Sequence, residues 1–415
     1  MDHHDTEKRR LNQNGSSSSS SLFTTFAFSF LTLIAVTTLV LMSNFSMQPH
    51  RDFSEVKIEI KRVVPQHLPL SSENESKIKQ ETQVVMTSPN PNITTVNEKN
   101  RVIDIFRGDN LSDKFQRKAK EFVGDSGCEV NFVMTWISPA NLFGKREVFA
   151  IESVFKSHPH GCLMILSATM DSPQGYTILK PFIDRGYKVV AVTPDLPFLL
   201  KGTAGEKWLE EIRSGKREAG KIPLAQNLSN IMRLAYLYKY GGVYLDTDMI
   251  LLKSFKGLNN VIGAQTLDPS YTNWTRLNNA VLIFDKNHPL LLKFIEEFAQ
   301  TFNGNVWGYN GPYLVSRVAR AAVEGSSEEY NNFTVMRPSA FYPVNWLEIE
   351  KFFKVPKTEK ESKWVKVKLL QMQGRSYGLH LWNKFSRKFE IEHGSAMWRL
   401  VSDHCIICEI GSASS

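Results

Sequence analysis

Between residues 130 and 192, short apolar runs alternate with segments of helical period, and this alternation restricts the possible folds of the chain most severely. Residues 130–136 (VNFVMTW), 162–166 (CLMIL) and 188–192 (KVVAV) read as strands, with helices predicted over 146–157 and 174–185 between them. Strand, helix, strand, helix, strand implies an α/β architecture built on a parallel sheet. Sheets of this kind bind ligands beyond the carboxyl ends of their strands, which would place Trp136 and Ser138 along one rim. The Trp136 indole then has two readings, a platform for a nucleotide base or a core aromatic.

A second informative segment lies near the middle of the chain. Leu228, Ile231, Ala235 and Tyr238 recur at helical spacing as an apolar face, while Gln226, Asn230 and Arg233 form a polar stripe. Gly241 and Gly242 fit a left-handed cap at the end of that helix, and residues 243–245, with Tyr244 at their centre, form a short strand. Asp246 and Asp248 follow. In an extended segment residues i and i+2 project to one side, so the two carboxylates are expected to face together and offer hard oxygen ligands suited to Mg²⁺ or Mn²⁺. Such an ion holds a diphosphate. Taken alone, the Asp-x-Asp tripeptide reads more simply as a solvated turn.

Downstream, residues 280–284 read as a strand, 288–302 as an amphipathic helix and 312–323 as a helix with Pro312 in its first turn. Residues 377–383 alternate like a strand and carry His380 and Trp382. A lone histidine is usually a hydrogen-bonded structural residue, but His380 becomes a candidate third metal ligand if the chain returns beside Asp248.

The run from Leu22 to Met42 contains no charged residue, and at about 1.5 Å per residue it matches the hydrocarbon thickness of a bilayer. It is longer than the apolar region of a cleaved signal peptide and lacks a small-residue cleavage site. Lys8, Arg9 and Arg10 before it favour a cytosolic N-terminus. The expected organisation is a cytosolic tail over 1–21, a transmembrane signal-anchor over 22–42, a polar, proline-punctuated stem over 43–125 and a lumenal domain over 126–415.

Glycosylation sequons begin at Asn44, Asn74, Asn92, Asn110, Asn227, Asn273 and Asn332; at Asn227 a glycan would obstruct the packing of the central helix. Cys128, Cys162, Cys405 and Cys408 suit two disulfides in an oxidising compartment, with three possible pairings. Cys128 and Cys162 each precede a strand, so a bridge between strand entrances is one option, leaving Cys405 with Cys408, whose spacing also suits a redox or zinc half-site. The chain has 415 residues, 42% hydrophobic and 22% charged, an ordinary globular composition. Its formal charge of +8 is scattered without a basic, aromatic-interleaved motif, so nucleic acid is not an expected partner. The densest basic stretch, 351–368, reads as a solvated edge.

Five blocks in order, 228–253 (LSNIMRLAYLYKYGGVYLDTDMILLK), 278–284, 307–318 (WGYNGPYLVSRV), 340–346 (AFYPVNW) and 376–384 (SYGLHLWNK), make the chain resemble the lumenal α1,4-glycosyltransferase family. That family includes lactosylceramide 4-α-galactosyltransferase and α1,4-N-acetylglucosaminyltransferase, and the resemblance is to its plant relatives. It implies a GT-A fold, a Rossmann-like and mainly parallel sheet flanked by helices, acting on a UDP-sugar with Mn²⁺ (or Mg²⁺) and retaining anomeric configuration. By the same resemblance Asp246 and Asp248 form the metal and diphosphate site, Arg233 contacts donor sugar or phosphate, and Trp136 stands where related enzymes stack uracil. With His380 as the candidate third ligand from its own segment, the expected metal site is Asp246, Asp248 and His380, the expected catalytic groups are Asp246, Asp248 and Arg233, and the expected donor side is Trp136, Ser138, Asn230, Arg233, Tyr244, Asp246, His380 and Trp382. The acceptor side is Asn279, Trp307, Gly311 and Pro312. Many relatives carry Asp at the position of Asn230, which bears on donor preference. The expected function is transfer of a hexose, galactose from UDP-galactose first, to a glycan or glycolipid acceptor at the Golgi membrane; the alternative is a catalytically silent nucleotide-sugar- or glycan-binding membrane protein.

Overall fold

The computed structural model describes residues 111–124, 127–325, 330 and 332–408. The predicted tail, the membrane span, the stem up to residue 110 and the sequons at Asn44, Asn74, Asn92 and Asn110 lie outside the described residues. Among the described residues no helix is long and apolar enough to cross a membrane.

In chain order the strands are β1 (Asn131–Thr135), β2 (Cys162–Leu166), β3 (Lys188–Val192), β4 (Gly242–Leu245), β5 (Met249–Leu251), β6 (Val261–Leu267), β7 (Trp274–Phe284), β8 (Thr334–Met336) and β9 (Gly378–His380). Seven of them make one sheet in the order β3-β2-β1-β4-β7-β6-β8, and β5 pairs with β9 in a separate two-stranded sheet. β1, β2, β3 and β4 run parallel, as do β6 and β8, and only β7 runs antiparallel to its neighbours. The expected parallel α/β sheet is therefore present with one reversed strand.

Both faces of this sheet are buried, so its strands read as continuous apolar runs rather than alternating ones. Successive side chains feed opposite layers. Phe132, Met134, Val243, Leu245, Val281 and Ile283 enter one core with the helices Lys145–Ser157, Pro173–Ile183 and Ala396–His404. Val133, Tyr244, Leu282 and Phe284 enter the other with the helices Ala204–Arg213, Leu224–Tyr240, Pro289–Thr301 and Pro312–Glu324.

Four expectations are corrected. The helix Leu111–Val123 lies inside the interval read as stem, with Phe115 and Ala119 fully buried and Phe115 against Phe198 and Tyr240. β7 begins at Trp274 rather than residue 280, because its outer half is polar and pairs with β6 through bulges. Tyr238 is only half-buried, at the margin of its apolar face, and the polar stripe divides, with Gln226 exposed as a polar edge requires but Asn230 and Arg233 buried. Gly241 and Gly242 do have positive φ (71° and 103°), but ψ of −169° at Gly241 is not the left-handed helical cap. Glycine is required by close approach as well: a Cβ at Gly241 would lie 2.7 Å from the Lys286 nitrogen, and one at Gly242 2.6 Å from the Asn131 carbonyl oxygen.

Cys128 is bonded to Cys162 and Cys405 to Cys408, which resolves the pairing and removes the zinc half-site. Of the described sequons, Asn227 is buried and accepts a hydrogen bond from Asn310 Nδ2 at 2.9 Å, whereas Asn273 and Asn332 are exposed.

Candidate active site

The strand order reverses between β1 and β4, since β2 and β3 extend to one side of β1 and β7, β6 and β8 lie beyond β4. A crevice at such a switch point, outside the carboxyl ends of the strands, is where open α/β sheets place ligands. Asp246 emerges there directly from β4. Its backbone N–H still bonds the Ala280 carbonyl at 2.8 Å, and the Met249 N–H then closes a turn on the Asp246 carbonyl at 3.0 Å. Asp246 and Asp248 are thus brought together by a turn between β4 and β5, and not by the same-side projection of an extended strand.

Asp246 is held by the central helix and by its own strand. Arg233 Nη1 lies 2.9 Å from Asp246 Oδ1, and the Tyr244 hydroxyl donates to the same oxygen at 2.7 Å. The guanidinium is 2% exposed and otherwise committed. Nη1 donates to the Asn279 carbonyl at 2.7 Å, Nη2 to Ser229 Oγ at 2.8 Å and Nε to the Ser229 carbonyl at 3.2 Å, with the group stacked 4.2 Å over the Tyr244 ring. Arg233 and Tyr244 are thus enclosed and committed to Asp246. Burial also raises the Tyr244 phenol pKa well above its usual value, so the hydroxyl remains a proton donor to the carboxylate.

Asp248 is held by the end of the chain. β9 pairs with β5 so that His380 stands opposite Met249, and His380 Nε2 lies 3.1 Å from Asp248 Oδ1. The Asn383 backbone N–H donates to Asp248 Oδ2 at 2.8 Å. Burial alone would raise the Asp248 pKa, but the facing imidazole and these hydrogen bonds outweigh it and hold the carboxyl below its ordinary range. Burial likewise works against protonation of His380, and the two aspartates overcome it to raise the imidazole.

Asp246, Asp248 and His380 offer one ligand atom each within 4.8 Å of one another. Two carboxylates and an imidazole suit a divalent cation such as Mn²⁺. His380 Nδ1 is buried without a hydrogen-bond partner among the described residues, so the imidazole is not saturated by protein contacts. The residues present fit the metal that the sequence implies.

Beside this cluster Asn279 Nδ2 donates to Asn230 Oδ1 at 3.0 Å, a neutral amide pair buried between the central helix and β7. Gly311 closes over it: a Cβ there would stand 3.1 Å from Asn230 Oδ1 and 3.3 Å from both polar atoms of the Asn279 amide. Pro312 begins the following helix as expected. Trp307 lies on the preceding loop, half-exposed, with the Lys384 ammonium 3.5 Å over its ring. Ser138 is exposed, but Trp136 is 6% exposed, donates from Nε1 to the Pro139 carbonyl at 3.2 Å and packs edge-on against Phe143. The core reading of Trp136 is the one the structure adopts. Trp382 is also buried, with its indole N–H bonded to the Val344 carbonyl at 2.9 Å and its ring centroid 4.1 Å from that of His380.

Thr135, Ser229 and Asn383 were not apparent from the sequence. Thr135 Oγ1 joins Ser229 Oγ at 2.6 Å and the Tyr244 hydroxyl at 2.9 Å. Ser229 stands four residues before Arg233 on the same helical edge, a spacing that could have marked it. Asn383 contributes through its backbone and left no side-chain signal.

Residues 283–409 match the family described as alpha 1,4-glycosyltransferase conserved region, and residues 144–268 match the glycosyltransferase sugar-binding region containing DXD motif. The chain is 31% identical over 217 residues to lactosylceramide 4-alpha-galactosyltransferase of Pongo pygmaeus, covering 51% of this chain and 91% of that protein. It is 28% identical to the human alpha-1,4-N-acetylglucosaminyltransferase over 58% of this chain and 67% of that one. It is 30% identical to the uncharacterized protein At4g19900 of Arabidopsis thaliana over 71% of its own length and spans 44% of that relative.

Proposed function

Since this chain belongs to the α1,4-glycosyltransferase family, we propose that it is a metal-dependent, retaining hexosyltransferase of GT-A type acting on a nucleotide-sugar donor. The observation that carries the reading is the Asp246, Asp248 and His380 cluster at the reversal of strand order, with each aspartate fixed by its own set of partners. A divalent cation bound there would supply positive charge against a nucleotide diphosphate leaving group. The protein's own part is pre-organisation. Arg233 and Tyr244 fix one carboxylate, His380 and the Asn383 N–H fix the other, and the ligand oxygens need not reorganise as charge develops on the donor.

The donor proposed first is UDP-galactose, with UDP-N-acetylglucosamine second, following the two activities named among the relatives. The neutral Asn230 and Asn279 pair under Gly311 forms a buried, hydrogen-bonded support beside the aspartates, beneath the place where the donor sugar would lie. The acceptor proposed is a glycan or glycolipid reaching the site past Trp307 and Pro312. The uncharged run over 22–42 and the sequons after it support a Golgi, single-pass, type II placement with the site lumenal.

The test is a donor and acceptor panel run with the full chain in detergent and Mn²⁺. Transfer from one UDP-sugar that is lost in Asp248→Ala supports the proposal. Tight donor binding with no product across the panel would replace it with a silent binding protein.

A further inference from the structure

Asp248 depends on a backbone N–H, and a backbone N–H is only as well placed as the segment that carries it. That segment, 382–389, turns sharply at Trp382, whose φ of 55° and ψ of 52° are left-handed and unfavourable for an L side chain. A conformation of that kind persists where its surroundings over-determine it. Trp382 itself is held by its indole N–H on the Val344 carbonyl and by its ring against His380, and the residues just after it are held by the N-terminus of the helix Lys145–Ser157, more than two hundred residues earlier in the chain.

Two adjacent residues of that helix hold the segment after Trp382. Arg146 Nη1 donates to Asn383 Oδ1 at 3.3 Å and to Ser386 Oγ at 3.1 Å, and Nη2 donates to the Phe389 carbonyl. Its guanidinium also lies 4.5 Å over the Phe353 ring. Glu147, 3% exposed, accepts from Asn383 Nδ2 at 3.3 Å and from Arg387 at 2.6 Å through one oxygen, while its other oxygen accepts the Gly144 N–H at 3.0 Å. Asn383 is therefore gripped at both atoms of its side-chain amide, and its main-chain N–H is the group aimed at Asp248 Oδ2.

We propose that Arg146 and Glu147 are positioning residues for the metal site, acting through Asn383 to hold the Asp248 carboxylate in ligand geometry. The proposal rests on the metal reading of Asp246, Asp248 and His380. The forked guanidinium is essential to it, because a lysine at 146 would keep the charge near Asp248 but could not span Asn383, Ser386 and Phe389 together.

The experiment titrates Mn²⁺ alone, without nucleotide, into the full-length protein, following the signal of free Mn²⁺ by electron paramagnetic resonance, with thermal unfolding recorded in parallel. Arg146→Lys and Asn383→Ala are each expected to weaken Mn²⁺ binding by roughly 10- to 100-fold, the range for groups that orient a metal ligand. Asn383→Ala leaves the backbone in place at a partly exposed position, so it reports even if the Arg146 variant fails to fold. Wild-type affinity in Asn383→Ala, or in a folded Arg146→Lys, overturns the proposal, and so does a lowered unfolding temperature with unchanged affinity. If the unmodified protein itself takes up no Mn²⁺, the metal reading falls and this inference with it, a result distinct from equal binding by parent and variants.

Discussion

Arg233→Lys separates two roles for the central arginine, holding Asp246 or gripping the donor directly. Four acceptors face the guanidinium: Asp246 Oδ1, the Asn279 carbonyl, the Ser229 carbonyl and Ser229 Oγ. A lysine keeps the charge but has a single nitrogen, so about two of those acceptors lose their donor. At about 1 to 1.5 kcal/mol for each buried bond, the fold should lose roughly 2 to 3 kcal/mol, or about 3 to 5 °C in unfolding midpoint for a domain of this size. The stack on Tyr244 is lost as well, and with it the alignment of the second donor to Asp246. Because the side chain acts on a metal ligand, nucleotide-free Mn²⁺ affinity should fall by roughly 10- to 100-fold. Calorimetric titration of Mn²⁺ and of donor, each alone and then together, reads both quantities. Mn²⁺ affinity within about twofold of the parent, combined with a tenfold loss in donor affinity, would show that the guanidinium reaches the nucleotide and that the enclosure argument is wrong.

Three further outcomes are expected. Gly311→Val should drive a wedge into the Asn230 and Asn279 pair, where even a Cβ is 3.1 Å from the nearest oxygen, costing about 1 to 3 kcal/mol in unfolding and cutting kcat/KM by about tenfold or more in the protein that remains folded. Breaking the Cys128–Cys162 bridge, which closes a loop of sequence separation 34, should cost roughly 3 to 4 kcal/mol in reversible unfolding, while breaking Cys405–Cys408, at separation 3, should cost about 2 kcal/mol or less. At Asp171 burial favours the neutral acid, but the Thr193 N–H and hydroxyl together with Lys118 and Lys114 outweigh it and depress the pKa. Its stabilisation is therefore full above the unfolded value near 3.8 and lost as pH falls through the lower folded value, so Asp171→Asn should be destabilised at pH 7 and converge on the parent in strong acid, as followed by urea unfolding.

The strands legible to the residue, Cys162–Leu166 and Lys188–Val192, are short apolar runs between turn-forming neighbours, and burial on both sheet faces makes such runs conspicuous. The outer half of β7 escaped because Thr275, Arg276, Asn278 and Asn279 break the apolar pattern while their backbone still pairs with β6. Leu111–Val123 escaped because Phe115 and Ala119 are isolated anchors in a charged helix adjoining a polar segment. At the site, Asp246 and Asp248 were visible as chemistry, but the reason they converge was not. An extended strand and a turn between strands are both compatible with Asp-x-Asp, and only the Met249 N–H bonded to the Asp246 carbonyl distinguishes them.

The two aspartates, two residues apart, draw their support from different parts of the chain. The groups that meet the Asp246 carboxylate lie on the central helix and β4, Arg233 oriented by Ser229 and Tyr244 from its own strand, with β1 and β7 bracing them through Thr135, Asn279 and Ala280. Everything that fixes Asp248 arrives from residues 380–383, which are seated in turn by the start of the Lys145–Ser157 helix. The matched segments 144–268 and 283–409 therefore meet at this pair, one carrying both carboxylates and the other carrying the imidazole and the N–H that aim the second. An Asp-x-Asp tripeptide in an otherwise unrelated turn would have neither support, and each carboxylate would spend its charge on water. What makes the motif a candidate metal centre is that distant segments converge on both of its members with the ligand atoms already gathered.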